Sequence, residues 1–257
     1  MKTIRCSRCI FALFFMAFGG ASCANERIYT VGVEDFEDFL PYSQYNKGIY
    51  SGLGKDILEL FAKKNGYTFV YKPYPVKRRD FLFFSGSLDF QYPDNPYWVA
   101  HEKEGLSIKY APILPFTDGV VVLPKNKGKG IEHLKKLAMP IGFTPFKYLG
   151  LIGEGKIKLF EAYRYTELYN YVQRERVDGA YVNTQVAKYH FSQYKNSDDI
   201  PIVFDRSLPY STGFHCISSI KYPKIISEIE AFLKDENNKA VIEELKRAHK
   251  FEHEELI

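Results

Sequence analysis

From position 27 onward, alternating β-branched and aromatic stretches trade places with stretches whose apolar residues recur every three or four positions. Residues 27–33 (RIYTVGV) have the composition of a strand. Asp56 then opens a run with Ile57, Leu58, Leu60 and Phe61 apolar, closed by Asn65-Gly66. An acidic cap, helical spacing and a terminal glycine predict a helix. Residues 67–71 alternate as a strand, 76–84 form a short helix ended by Gly86, and 88–92 form a strand stopped by Pro93. This βαβαβ order predicts a largely parallel sheet covered by helices.

The second half continues the alternation. Strands are expected at 119–123, 139–143, 158–160, 177–182, 202–204 and 213–217. Helices are expected around Ile131, Leu134 and Leu137, over Phe146, Leu149 and Ile152, around Leu168, Tyr169 and Val172, and from 183 to about Tyr194. The chain ends in two helical runs, one through Ile225, Ile226, Ile229, Phe232 and Leu233, the other through Val241, Ile242, Leu245 and Ala248. Two proline-bearing stretches interrupt the pattern, 110–118 (YAPILPFTD) and 204–212 (FDRSLPYST). Read as linkers, they bound an inserted unit and predict two lobes joined by a pair of crossing strands. The first lobe takes 25–114 and 207–257, the second 115–206. A ligand cleft then falls between them.

The N-terminus follows a different logic. Lys2, Arg5 and Arg8 precede an unbroken apolar run over 10–18 and the small residues Gly19, Gly20, Ala21 and Ser22. A basic start, a short apolar run and a small-residue exit predict a secretory signal peptide over 1–24, cleaved before Asn25. The run falls short of the ~20 residues that a membrane helix needs. Of the 35 basic residues, three leave with this leader, so 32 remain against 31 acidic ones. That near-neutral balance gives no electrostatic case for nucleic acid. Of the four cysteines, Cys6, Cys9 and Cys23 lie in or beside the leader and only Cys216 in the body, so no internal disulfide is expected. Cys6 and Cys9 have the spacing of a redox or zinc half-motif but fall in the discarded segment. Gly20-Ala21-Ser22-Cys23 resembles a lipoprotein signal, although that pattern wants Leu, Val or Ile where Gly20 stands. Membrane association is expected only if Cys23 is acylated.

Several local patterns together resemble the bacterial type II periplasmic solute-binding proteins, in particular the amino-acid-binding branch known as family 3. They are the strand Val31-Gly32-Val33, the loop Leu40-Pro41-Tyr42, the segment Gly48 to Asp56 (GIYSGLGKD), Ser85-Gly86-Ser87-Leu88-Asp89, Ser107 to Pro112 and Arg174 to Asn183. The resemblance covers nearly all of the mature chain. It implies a two-lobe α/β fold, a ligand cleft between the lobes, no cofactor or metal, a monomer in the periplasm, and an ABC permease or membrane sensor as partner. It also exposes departures. The branch grips a ligand carboxylate with an Arg in a Thr-x-x-Arg segment after the third strand. This chain has Pro93-Asp94-Asn95-Pro96-Tyr97-Trp98-Val99-Ala100-His101 there. The branch grips the ligand ammonium with an Asp where this chain carries Asn183. A bidentate Arg suits a carboxylate and an acid suits a buried cation. With both displaced, the expected ligand is a small polar molecule other than a standard free amino acid.

In such folds ligands lie at strand C-termini and helix N-termini. The candidates are therefore Glu34, Asp35 and Phe36 after the first strand, Tyr42 in the Pro-aromatic loop, and Asp94, Asn95 and Trp98 after the third strand. Trp98 in its Pro-flanked loop suits stacking or cation–π capture. Lys77, Arg78 and Arg79 start a helix, where the dipole disfavours cations, which points to a reason for Arg78 or Arg79. Thr117 and Asp118 lie at the first linker and Tyr210 at the second. Thr144 precedes a helix begun by Pro145, with Lys147 and Tyr148 following, and Asn183 ends a strand. Solvated loops, turns and helix caps are the structural alternatives for these positions.

No Gly-x-Ser-x-Gly elbow, Walker-type phosphate loop or His-Glu-x-x-His motif is present. His249 and His253 are four apart on a charged tail and make a weak metal pair. The leading expectation is thus a solute receptor that closes by hinge motion. The alternative is an exported, dehydratase-like enzyme on the same scaffold, using Glu34 or Asp94 with Arg79 for proton transfer. Mass spectrometry of the secreted protein should show an N-terminus at Asn25. A diacylglycerol adduct on Cys23 would replace the cleaved form with an anchored one.

Overall fold

The computed structural model describes residues 27–196 and 198–251. The leader reading, the acylation reading at Cys23 and His253 fall outside the described residues. Strand β1 (Arg27–Glu34) is followed by a short hairpin, β2 (Gln44–Asn46) and β3 (Ile49–Ser51), then helix α1 (Leu53–Asn65), β4 (Tyr67–Tyr74), α2 (Val76–Phe84) and β5 (Phe90–Asp94). The long strand β6 (Lys109–Val122) leads to β7 (Lys136–Pro140), α3 (Leu149–Gly153), β8 (Lys158–Ala162), α4 (Tyr165–Gln173), β9 (Gly179–Asn183) and α5 (Thr184–Tyr194). The chain returns through β10 (Val203–Phe204) and β11 (Ser211–Ser219) and ends in α6 (Pro223–Lys234) and α7 (Glu236–Ala248).

These elements form one nine-stranded sheet in the order β4-β1-β5-β11-β6-β9-β7-β8, with β10 on β6. The near wing, β4-β1-β5, is parallel, as is the far wing, β9-β7-β8. The two central strands β6 and β11 pair antiparallel along their length and join the wings. The expected βαβαβ order and parallel pairing are thus present in the near wing. Strands β1 and β5 end with Glu34 and Asp94, and β9 ends with Asn183. Both wings therefore deliver the carboxyl ends of their strands to the middle of the molecule, where open α/β sheets place ligands.

Apolar burial fixes this arrangement. Val31 and Val33 of β1, Ile57, Leu58 and Phe61 of α1, Phe90 of β5 and Ile226 and Ile229 of α6 are all 1% exposed or less. Each such side chain contributes roughly 1.5–3 kcal/mol on leaving water. The same apolar cluster continues into the far wing through Leu168, Val182 and Val186, and a smaller one gathers Val120, Val122, Leu137, Met139 and Tyr148.

Two expectations need correction. Asp56 does not cap α1. The helix begins at Leu53 behind Gly52, and the Asp56 carboxylate instead lies 2.7 Å from Nε2 of His249. Its predicted end is observed, with Gly66 in the left-handed region (φ 67°) donating to the Ala62 carbonyl. The stretch 110–118, read as one of two crossing strands, lies within β6, and its prolines sit in the ladder. The register slips between His215 and Cys216, beside Pro112, which accommodates the missing donor. The helix expected around Ile131, Leu134 and Leu137 shrinks to a 3-10 turn at Ile131–His133, and Leu137 enters β7.

The first turn of α1 packs hard against β5, so that a methyl group on Gly54 would run into the Tyr92 ring. Gly54→Ala should cost about 1–3 kcal/mol in urea unfolding, because a ring wedged in the core cannot give way.

Candidate functional site

Helix α2 follows Pro75 immediately after β4, and its fourth residue, Arg79, is 1% exposed. Its stem lies against β1 because Gly32 has no side chain: a Cβ there would meet Arg79 Cγ at 3.2 Å. The guanidinium sits between two carboxylates. Nη1 lies 3.3 Å from Glu34 Oε1, and Nη2 donates to Asp80 Oδ1 at 2.9 Å. Asp80 Oδ1 also accepts from Gln91 Nε2 at 2.9 Å. Burial pushes the Glu34 carboxyl up to about 7 against the pull of Arg79, while Asp80 and Asp35 add like charge. The cost of a cation early in a helix is therefore offset by these acids.

A second fixed group sits at the end of β5. Asp94 accepts from Lys103 Nζ (2.7 Å), from its neighbour's Asn95 N–H (2.7 Å) and from Ser218 Oγ (2.6 Å). Lys103 is buried, donates also to the Asn95 carbonyl at 2.7 Å, and lies 5.5 Å from the Tyr110 ring centroid. The intervening chain is strained, since Val99 adopts φ 42°, a left-handed conformation that β-branched residues avoid. Trp98, held beside it, packs on Phe116 and His215 at 5.9 and 5.8 Å.

His215 of β11 is 3% exposed and stacks on Phe116 at 5.0 Å, with Phe39 and Tyr42 also against it. Burial and the nearby Arg79 push the imidazole down to about 3, so it is neutral at physiological pH. Its Nδ1, the Gln91 Oε1 and the Arg79 Nη1 are buried without a hydrogen-bond partner among the described residues. On the far wing, Asp118 of β6 accepts from Asn183 Nδ2 at 3.1 Å, and desolvation pushes its carboxyl up to about 7.

These groups wall a cleft of about 190 Å³ between the wings. The near wing contributes Glu34, Phe36, Phe39, Arg79, Asp80, Gln91, Asp94 and Trp98. The central strands and far wing contribute Phe116, Asp118, His215, Gly142, Phe143, Thr144, Phe146 and Tyr181. An outer mouth adds Asn95, Lys147 and Tyr210. Phe39 and Phe143 close ring against ring at 6.1 Å across the gap.

Of the candidates read from sequence, Glu34, Phe36, Arg79, Asp94, Trp98, Asp118 and Thr144 line the cleft, and Asn95 and Lys147 line its mouth. The others are placed elsewhere. Asp35 lies beside Glu34 outside the wall. Arg78 turns onto the Tyr74 ring at 5.4 Å. Tyr42 is buried and donates to the Pro115 carbonyl, and Tyr148 is buried and donates to the Pro209 carbonyl. Thr117 is buried opposite Thr212 in the β6–β11 ladder. Asn183 is a correction: its carbonyl oxygen caps α5 by accepting from Gln185 and Val186, and its amide holds Asp118, so it positions the wall from behind. Sequence reading missed His215, Gln91, Asp80 and Phe39. The first two lie inside strands, where only pairing reveals which face they take.

No family model and no curated protein sequence matches the chain. Solved structures match across most of its length. An arginine third-transport-system periplasmic binding protein from Legionella pneumophila is 12% identical, covers 87% of this chain and 100% of its own, and superposes with a TM-score of 0.65. A histidine kinase sensor domain with similarity to periplasmic binding proteins is 16% identical over 87% of this chain and 96% of its own, at 0.64. An ancestral amino-acid-binding protein, a precursor of cyclohexadienyl dehydratase, is 18% identical over 86% and 95%, at 0.61. The chain therefore has the type II periplasmic binding protein fold expected from its sequence.

A carboxyl raised by burial is a cost that grows with pH. Asp118 binds its proton more tightly in the fold than in the unfolded chain, so its contribution is unfavourable above about 7 and vanishes below the unfolded value. Asp118→Asn should raise the melting temperature of the ligand-free protein at pH 8 by a few degrees, and the gain should shrink at pH 4, as read by scanning calorimetry.

Proposed function

We propose that this chain is an extracytoplasmic solute-binding protein that captures a small polar molecule in the cleft and closes over it. The observation that carries this reading is the cleft itself, a pocket at strand C-termini whose walls come from both wings. The division into a first lobe of 25–114 and 207–257 and a second of 115–206 makes β6 and β11 the hinge strands. Closure then brings Phe143, Thr144 and Asp118 onto the near wall, and the ligand stabilises the closed state by touching both. The neighbouring folds and the basic-then-apolar N-terminus support a periplasmic location, and the partner is a separate permease or membrane sensor. Among the described residues no helix is long and apolar enough to cross a membrane.

One observation favours the enzymatic alternative. Glu34, held near neutrality beside Arg79, has the acidity of a general acid–base. The receptor and the enzyme differ in what leaves the cleft.

Incubation of the secreted protein with a small-molecule extract should raise its melting temperature and reduce its radius of gyration in X-ray scattering. The molecule released on denaturation should have the mass of a component of the untreated extract. A converted product would assign the cleft to catalysis, and an unresponsive protein would defeat the receptor reading.

A further inference from the structure

Resting on the receptor reading, we propose that the cleft takes a small organic cation that carries N–H donors and no carboxylate, such as an amine or a guanidine. Charge comes first. Four carboxylates line the pocket, Glu34, Asp80, Asp94 and Asp118, and the cation among the lining residues is Arg79. Lys103 neutralises Asp94 from behind, and Arg79 is already divided between Glu34 and Asp80. Acid remains in surplus, most plainly at Asp118, whose described partner is the neutral Asn183. A cationic guest supplies the missing counter-charge.

Hydrogen-bonding capacity adds acceptors for a donor-bearing guest, beside one buried donor, Arg79 Nη1, whose 3.3 Å contact with Glu34 is an ion pair without a hydrogen bond. Gln91 Oε1 is a buried acceptor with no partner among the described residues, while its amide nitrogen donates to Asp80. A donor from the guest satisfies it. Neutral His215 adds a buried ring nitrogen, Nδ1, also without a partner. The wall between these groups is aromatic, with Trp98, Phe116 and Phe143 offering ring faces or edges. Ring faces attract a desolvated cation through their quadrupole.

A guest carboxylate fits poorly. Its one strong partner would be Arg79, and there it would stand beside Glu34 and Asp80, a third like charge around one guanidinium. Burial makes the preference pH-dependent. Glu34 faces Arg79 and Asp80 on α2 and the hydroxyl of Tyr50 on β3, and Asp118 faces Asn183, with Tyr42, Tyr165 and Tyr181 feeling its charge. A cation requires both acids ionised, so its uptake expels protons below neutrality.

Titration calorimetry on the secreted protein with matched pairs tests this: agmatine against arginine, cadaverine against lysine, histamine against histidine. At least one amine should bind about tenfold or more tightly than its amino acid. Its affinity should fall by up to about tenfold per pH unit per protonated acid below neutrality. Glu34→Gln and Asp118→Asn should each weaken it about tenfold or more, and Asp118→Asn should do so while the ligand-free melting temperature at pH 8 holds or rises. Equal or tighter binding of an amino acid, or an affinity unmoved by both variants, overturns the proposal. Silence of every amine overturns it as well. If an extract still stabilises the protein the receptor reading survives that failure, and if nothing does both fall together.

Discussion

The Arg79 guanidinium, sealed under the sheet with Glu34 on one side and Asp80 on the other, is the constraint around which the near wing is arranged. An unpaired guanidinium at 1% exposure is not tolerable, so each partner must be in place for the others to be buried. Gly32 makes room for the stem, Gln91 braces Asp80, and the helix start after Pro75 sets the height of the charge. This one residue therefore ties β1, α2 and β5 together by electrostatics where apolar packing alone would leave their loops free. It also leaves the cleft floor acidic, because two carboxylates stand around one guanidinium.

The segment after β1 connects that floor to the other wing. Phe39 meets Phe143, the Tyr42 hydroxyl reaches the Pro115 carbonyl, and Asp38 lies close enough to His190 on α5 to influence it. The apolar cluster consequently runs without a break from α1 to α5. Opposing this cohesion, the central pair β6 and β11 carries two prolines and a register slip, which loosen the ladder where the wings meet. The wings are thus held by side chains from the loops and joined by a backbone with deliberate irregularity.

Much of the fold was written in periodicities. β1 was legible from its β-branched and aromatic composition, β4 from alternation and α6 from apolar residues at a helical period. The β2–β3 hairpin was not, because three-residue polar strands carry no period to read. Residues 110–118 stand out because proline is the strongest local punctuation, and pairing with β11 shows that they cross between the wings as part of a single long strand. At the site, Glu34 and Asp94 were legible as acids at strand ends, and Arg79 as a cation where the dipole resists one. Asn183 shared that position but spends its side chain on a cap. His215 gave no signal, since a histidine inside an apolar strand is equally at home in a core, and the Lys103–Asp94 pair depends on a turn that strains Val99.

Cys216, the register neighbour of both Pro112 and Asp94, is 6% exposed, and burial with the adjacent Asp94 charge pushes its thiol up to about 12. Thiolate is the reactive form, so this free sulfur stays chemically silent while the central strands remain paired. Its capture by a disulfide reagent then times how often the middle of the molecule comes apart, an intrinsic clock for breathing of the ladder that needs no engineered label.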